Sequence, residues 1–268
     1  MSDAGLRARI ISANFVRGIV RLDVRPLFLQ ALGVFVVIAL VLAIAALAAA
    51  KLAASDWRFV VIALCVYAGV AGVALAGLDA HPHVRLGWAN MITSIRAGLT
   101  ALIAAALVEF QRFAPGGDVV LTWALIAVVV LALALDGVDG AAARYQGTNS
   151  SFGERFDMEV DALMVLTLSV LAFASGKAGV FVILLGAMRY VYVAIHALFP
   201  GLSKELKPSI ARKAICVFQI VALCTMMMPV IEPPFSSNIA WVALVLLSAS
   251  FARDLIAQLG HSTRRAIK

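Results

Sequence analysis

The chain has 268 residues, of which 63% are hydrophobic and 14% charged, with a mean hydropathy of +1.00 and a net charge of +7. A soluble globular domain is nearer half apolar and a quarter charged, so this composition excludes one and implies a protein built in a bilayer. The basic excess is spread between apolar blocks rather than gathered in a patch, which points to membrane topology and anionic lipid and away from nucleic acid.

The first 26 residues carry Arg7, Arg9, Arg17, Arg21 and Arg25 among Ile10, Ile11, Phe15, Val16, Ile19, Val20 and Leu22. That mixture predicts a basic arm (1–26), amphipathic and lying on the membrane surface. The apolar run from Pro26 to Ala50 is longer than a signal-peptide core and reads as an anchor that is kept. Spanning helices are predicted at roughly 27–50, 58–78, 90–110, 119–136, 158–175, 178–198, 210–230 and 236–257. Strict alternation is absent, which excludes a barrel. Cys65, Cys216 and Cys224 lie in apolar runs with no CxxC and read as small core residues. His81 and His83, in a short HPH loop, lack a third ligand in sequence and read as exposed loop residues, and His196 reads as a membrane-boundary residue.

Eight spans put both termini on one side. Of the 22 Lys and Arg residues, 17 fall on that side and 4 (Lys51, Arg58, Arg112, Lys177) on the other, with Arg189 inside a span. Basic loops face the cytoplasm, so both termini and the connection after Asp136 are predicted cytoplasmic.

That connection begins the chemically informative segment, DGVDGAAARYQGTNSSFGERFDMEVD, residues 136–161. On a helix Asp136, Asp139 or Gly140, and Ala143 share one face. Gly153, Asp157 and Asp161, at i, i+4 and i+8, share another. Two antiparallel helices joined by a polar turn at Tyr145–Ser151 would bring four carboxylates together at the membrane boundary. Taken singly, each Asp is turn chemistry. Together they would repel one another and be costly to desolvate, so a compensating cation is expected. All-oxygen ligation points to Mg²⁺ or Mn²⁺, and a pair of ions about 4 Å apart would clamp the attacking and leaving oxygens of a displacement at phosphorus. Gly140, Ala143 and Gly153 leave room for a bulky anion, and Arg144 suits a phosphate.

The pattern D-x2-D-G-x2-A-R-x8-G-x3-D-x3-D resembles the signature of the CDP-alcohol phosphotransferase family at every fixed position. Eight matched positions by chance would occur on the order of 10⁻¹⁰ per start. Asn90, Thr93 and Arg96, in NMITSIR, resemble the motif opening that family's first helix, although Asn and Thr near a helix start are commonly caps. The resemblance implies an all-α polytopic membrane protein with a six-helix catalytic core, about 88–258 and placed in a domain 79–258, working as a homodimer. Two additional transmembrane helices (27–78) precede it, and a basic tail (259–268) follows. By the same resemblance Asp136, Asp139 and Asp157 bind metal, and Asp161 ligates metal or acts as general base. Asn90, Thr93, Gly140, Ala143, Arg144 and Gly153 shape the CDP site. The implied reaction is attack of an acceptor hydroxyl on the alcohol-linked phosphate of a CDP-linked donor, with CMP leaving. CDP-diacylglycerol is the expected donor, in phospholipid synthesis at a bacterial cytoplasmic membrane.

The acceptor is expected to be a small polar alcohol. Arg189, buried in GAMRYVYV, needs an anionic partner, and with Lys204, Lys207, Arg212 and Lys213 would receive an anionic acceptor. The string PSIARKAICVFQ resembles the stretch of glycerophosphate-accepting members, but Arg212 stands where they have Gly and Cys216 displaces their Thr. Two rival classes stand beside this reading. An intramembrane prenyltransferase holds Mg²⁺ with two Asp clusters on well-separated helices, and an ion-coupled transporter would place acids near the midplane of broken, repeated helices.

Overall fold

The computed structural model describes residues 3–146, 150–198 and 210–266, with the side chains of 26–138, 150–194, 198 and 214–253. Among the described residues the chain forms eight α-helices and no strand. They are α1 (Asp3–Leu52), α2 (Trp57–Ala76), α3 (Gly87–Ala105), α4 (Val119–Gln146), α5 (Ser151–Ala174), α6 (Ile183–Leu198), α7 (Ile210–Met227) and α8 (Phe235–Ala266). A 3₁₀ stretch, Ala106–Phe113, extends α3. The protein is thus an all-α polytopic membrane protein. Five of these segments are long and apolar enough to cross a bilayer, Pro26–Leu52, Trp57–Ala76, Gly87–Phe113, Val119–Val138 and Phe235–Arg253. α5 falls outside that set because Glu154, Arg155, Asp157, Glu159 and Asp161 crowd its first half. Shorter apolar stretches, Val180–Ala194 and Ala214–Met227, run into α6 and along α7.

Several boundaries differ from the expectation. The first helix is continuous from Asp3 and runs through Pro26, so the basic arm and the first span share one helix backbone. α4 outlasts its predicted end at 136 by almost three turns, carrying the whole DGVDGAAAR string in helical backbone. α5 begins at Ser151 rather than 158, because Ser150 caps it by accepting the Gly153 N–H at 3.0 Å.

α3 is the central helix. Its span is 61% buried, against 22–33% for the other four, and it packs on α1, α2, α4 and α5. The burial follows from its side chains. Ala97, Ala101 and Ala105, one turn apart, let neighbouring backbones close in, as dispersion-driven packing in a bilayer requires. Gly98 lies against Ile38 of α1 in the same way. Two apolar clusters meet along α3 and α5. One joins α1, α2 and the first half of α5 through Phe35, Tyr67, Phe152, Phe156 and Val160. The other joins α4, α5, α7 and α8 through Val129, Met164, Leu168, Leu223 and Leu247. At α6, Gly186 rests on α5 so closely that a Cβ there would sit 2.3 Å from the Leu166 Cα. The outer face of α1 presents Leu29, Val37, Leu40, Val41 and Ile44, exposed apolar residues suited to lipid.

Opposite the site described next, three polar side chains tie down connections. Arg112 donates to the Ala53 carbonyl and pairs with Asp118 at 2.9 Å. Lys177, 1% exposed, donates to the carbonyls of Met228 at 3.1 Å and Ile231 at 2.9 Å. Ser236 in turn donates to the Lys177 carbonyl. The Asp118 carboxylate accepts the Leu121 N–H and faces Arg112, which holds its pKa below the usual carboxylate range.

Candidate active site

α3, α4 and α5 converge on one acidic centre. Asp136 stands on α4, and Asp157 and Asp161 stand one turn apart on α5, as the i, i+4 spacing requires. One oxygen from each of the three lies within 4.8 Å of the others. Their side chains are 8%, 23% and 14% exposed respectively, so Asp136 forms the floor of the centre and Asp157 its most open wall.

The cation that sequence reasoning required of a metal is in part supplied by the chain. Arg96 of α3 is fully buried, and its guanidinium fork donates to Asp157 through Nη1 and to Asp161 through Nη2. Nη1 also lies 3.2 Å from Asp136. In sequence Arg96 stands as the last residue of the NMITSIR motif. The signal that would have found it is an Arg two turns into an apolar helix, which must meet an anion. Cys216 was likewise missed. Read as a core residue, it approaches Asp161 Oδ2 to 3.9 Å because α7 packs against α5 at this level.

Asn90 and Thr93 are buried on α3 at the same end of the bundle, and they are not the N-cap, a position held by Leu86. Asn90 Nδ2 donates to the Leu86 carbonyl, and Thr93 Oγ1 donates to the Ala89 carbonyl at 3.0 Å. Gly153 faces Asn90, and a Cβ at 153 would lie 2.9 Å from Asn90 Oδ1 and 3.2 Å from Ser150 Oγ. A side chain at 153 would therefore push the Asn90 amide from its place between α3 and α5. Asp139, Gly140, Ala143 and Arg144 lie on the helical backbone of α4, their side chains outside the described residues.

Arg189 points at α5 and pairs with Glu159, which sits between Asp157 and Asp161 in sequence. Lys204 and Lys207 lie outside the described residues, as do the side chains of Arg212, Lys213 and His196. His81 departs from expectation. It is 8% exposed rather than an open loop residue, because its ring is enclosed by Phe152 and His83 at centroid distances of 5.3 and 5.4 Å.

Three carboxylates sharing so small a volume form a hard, all-oxygen donor set, which fits a divalent cation such as Mg²⁺ or Mn²⁺. An acidic centre of this kind beside a bilayer can hold an ion against a diphosphate. Residues 86–249 match the family model for CDP-alcohol phosphatidyltransferases. The chain belongs to this family. The matched region runs from the start of α3 into α8 and contains the whole acidic centre, while α1 and α2 lie before it. No curated protein and no solved structure matched the chain. Members of the family are membrane transferases of phospholipid synthesis that use divalent metals, moving a substituted phosphate from a CDP-alcohol to an alcohol acceptor.

Proposed function

We propose that the protein transfers a phosphatidyl group from a CDP-diacylglycerol-type lipid to the hydroxyl of a small polar alcohol, releasing CMP. It does so at the cytoplasmic face of a bacterial inner membrane and as a homodimer. The observation that carries this reading is the convergence of Asp136, Asp157 and Asp161 on one centre within the region matched to the family. The apolar outer faces of the helices support a lipid-linked donor, whose acyl chains stay in the bilayer while its headgroup reaches the acids. The excess of Lys and Arg on the side of the termini supports the orientation.

Asp136, Asp139 and Asp157 would hold the divalent ion, which when bound supplies the positive charge that neutralises the donor's diphosphate. Asn90, Thr93, Gly140, Ala143 and Gly153 form the bed for the CDP moiety, and Arg144 pairs with a phosphate. Arg96 keeps the carboxylates of Asp157 and Asp161 oriented toward the same point. The acceptor oxygen forms its bond to the donor's lipid-linked phosphorus as the bond from that phosphorus to CMP breaks. Asp161 takes the acceptor's proton, and CMP departs with the electron pair of the broken bond. Arg189, joined by Lys204, Arg212 and Lys213, receives an anionic acceptor group, which competes with Glu159 for the Arg189 guanidinium.

Purified protein supplied with Mg²⁺ or Mn²⁺, CDP-diacylglycerol and a panel of alcohols should release CMP with at least one acceptor. Asp157→Asn should abolish the release. No CMP with any acceptor, or equal release from the variant, would sink the reading. Arg189→Ala should raise KM for the acceptor and leave KM for the donor nearly unchanged.

A further inference from the structure

His81 lies on the connection between α2 and α3, and its two ring nitrogens are both engaged. Nε2 lies 2.9 Å from the Arg85 carbonyl, which can only accept, so Nε2 carries the proton. In the neutral ring Nδ1 is then an acceptor, and the Ser150 hydroxyl donates a hydrogen bond to it at 3.2 Å. Ser150 Oγ in turn accepts the Gly153 N–H at 3.0 Å and caps α5. One chain of hydrogen bonds therefore runs from the backbone of Gly153, through Ser150 and His81, to the loop that leads into α3.

The loop is held from two other sides. The Leu86 N–H donates to Gln30 Oε1 of α1 at 3.2 Å. The His81 ring meets Phe152, which stacks on Phe156 at 6.0 Å, and Phe156 meets Phe35 of α1 at 6.1 Å. The start of α3 and the first turn of α5 are thus both fixed to a frame that includes α1. Between those ends lies the contact of Gly153 with Asn90, where a Cβ would sit 2.9 Å from the Asn90 amide oxygen and displace it. Asp157 and Asp161 follow one and two turns further along α5.

We propose that His81 is a positioning residue for the transferase, setting the gap between α3 and α5 at the nucleotide end of the site through Ser150. This rests on the function proposed above. An imidazole suits the task because it carries a donor and an acceptor on one rigid ring. Alanine has neither, whereas the Gln amide presents both, with a similar separation. The brace acts on the bed of the CDP moiety. Its loss therefore weakens donor capture, while the acids on the following turns, held separately by Arg96, keep their arrangement.

The test measures CMP release against donor and acceptor concentrations for His81→Ala, His81→Gln, Ser150→Ala and the His81→Ala/Ser150→Ala pair, with melting in detergent followed in parallel. His81→Ala should raise donor KM about fivefold to tenfold, the worth of one or two hydrogen bonds. Its kcat and acceptor KM should stay within about twofold, a margin well below the effect of one hydrogen bond. His81→Gln should restore most of the donor KM, and the double variant should be no worse than Ser150→Ala alone. A lowered melting temperature with unchanged donor KM would overturn the proposal. So would a Gln variant that behaves as Ala does, or additive effects in the pair. Should His81→Ala fail to fold, the Gln and Ser150→Ala variants decide by the same criteria. Failure of the wild-type protein to release CMP at all would overturn the proposed function instead. In that case donor-lipid protection against melting, compared between wild type and His81→Ala, still reads the brace: equal protection in the two would overturn the positioning role.

Discussion

Replacing Arg96 by Met removes the guanidinium while keeping most of the buried stem. Three carboxylates then face one another with the chain's own compensating charge gone. At the 3.2 Å separation of Arg96 from Asp136, a unit-charge pair at an effective dielectric of about 20 is worth roughly 5 kcal/mol before desolvation is counted. Removing one partner of a buried pair costs about 3–5 kcal/mol net, a large share of a domain's usual stability. At roughly 2–4 °C per kcal/mol, the variant should melt about 6–20 °C below wild type in detergent with EDTA present. Mn²⁺ should restore a substantial part of that loss, because the ion returns positive charge to the same carboxylates. The wild type, with Arg96 already in place, should gain less from the ion. A variant that melts like wild type in EDTA would refute the compensating role of Arg96. A loss that Mn²⁺ leaves untouched would refute the idea that these acids take a cation.

Gly186→Ala should cost about 3 kcal/mol, since its Cβ would collide with the Leu166 backbone, whereas Gly72→Ala, open on α2, should stabilise by up to about 1 kcal/mol; denaturant titration compares them, and equal effects would remove α5–α6 packing as the cause. Lys177→Met should destabilise by roughly 2–3 kcal/mol by leaving the Met228 and Ile231 carbonyls without their donor, and a neutral result in the same titration would show that they find another. Burial pushes the His81 pKa below 6.5, helped by the neighbouring His83 and opposed by the Arg85 carbonyl. The unfolded chain then takes up the proton first as pH falls, so the stability contribution is complete above about pH 6.5 and declines below it. Melting followed from about pH 8 to about pH 5 should slope downward in wild type and less so in His81→Gln, and parallel slopes would refute the assignment.

The spacing of Gly153, Asp157 and Asp161 already placed two acids on one helical face, and the structure has them there. The apolar blocks likewise predicted eight helices, though α4 and α5 reach further into the polar segment than hydropathy alone allowed. Helical periodicity is a local property, so both were readable along the chain. The partners of buried charges were harder to read. Arg189, expected to receive an anionic acceptor, pairs in the structure with Glu159 of α5. Arg96 and Asp157 are 61 residues apart, and His81 and Ser150 are 69. Nothing local distinguishes an HPH loop in solvent from one folded under the cap of α5.

The sequence by itself determined the membrane class, the helical fold and the identity of the acids, because bilayer length, helical period and an Asp-rich signature are written in consecutive residues. Only the tertiary structure decided that Arg96 shares the centre with those acids, that Cys216 approaches it and that His81 is enclosed. Those facts depend on which helices pack together. That choice is made by small residues such as Gly98, Gly153 and Gly186, which act by letting distant backbones meet and leave no periodic signal of their own.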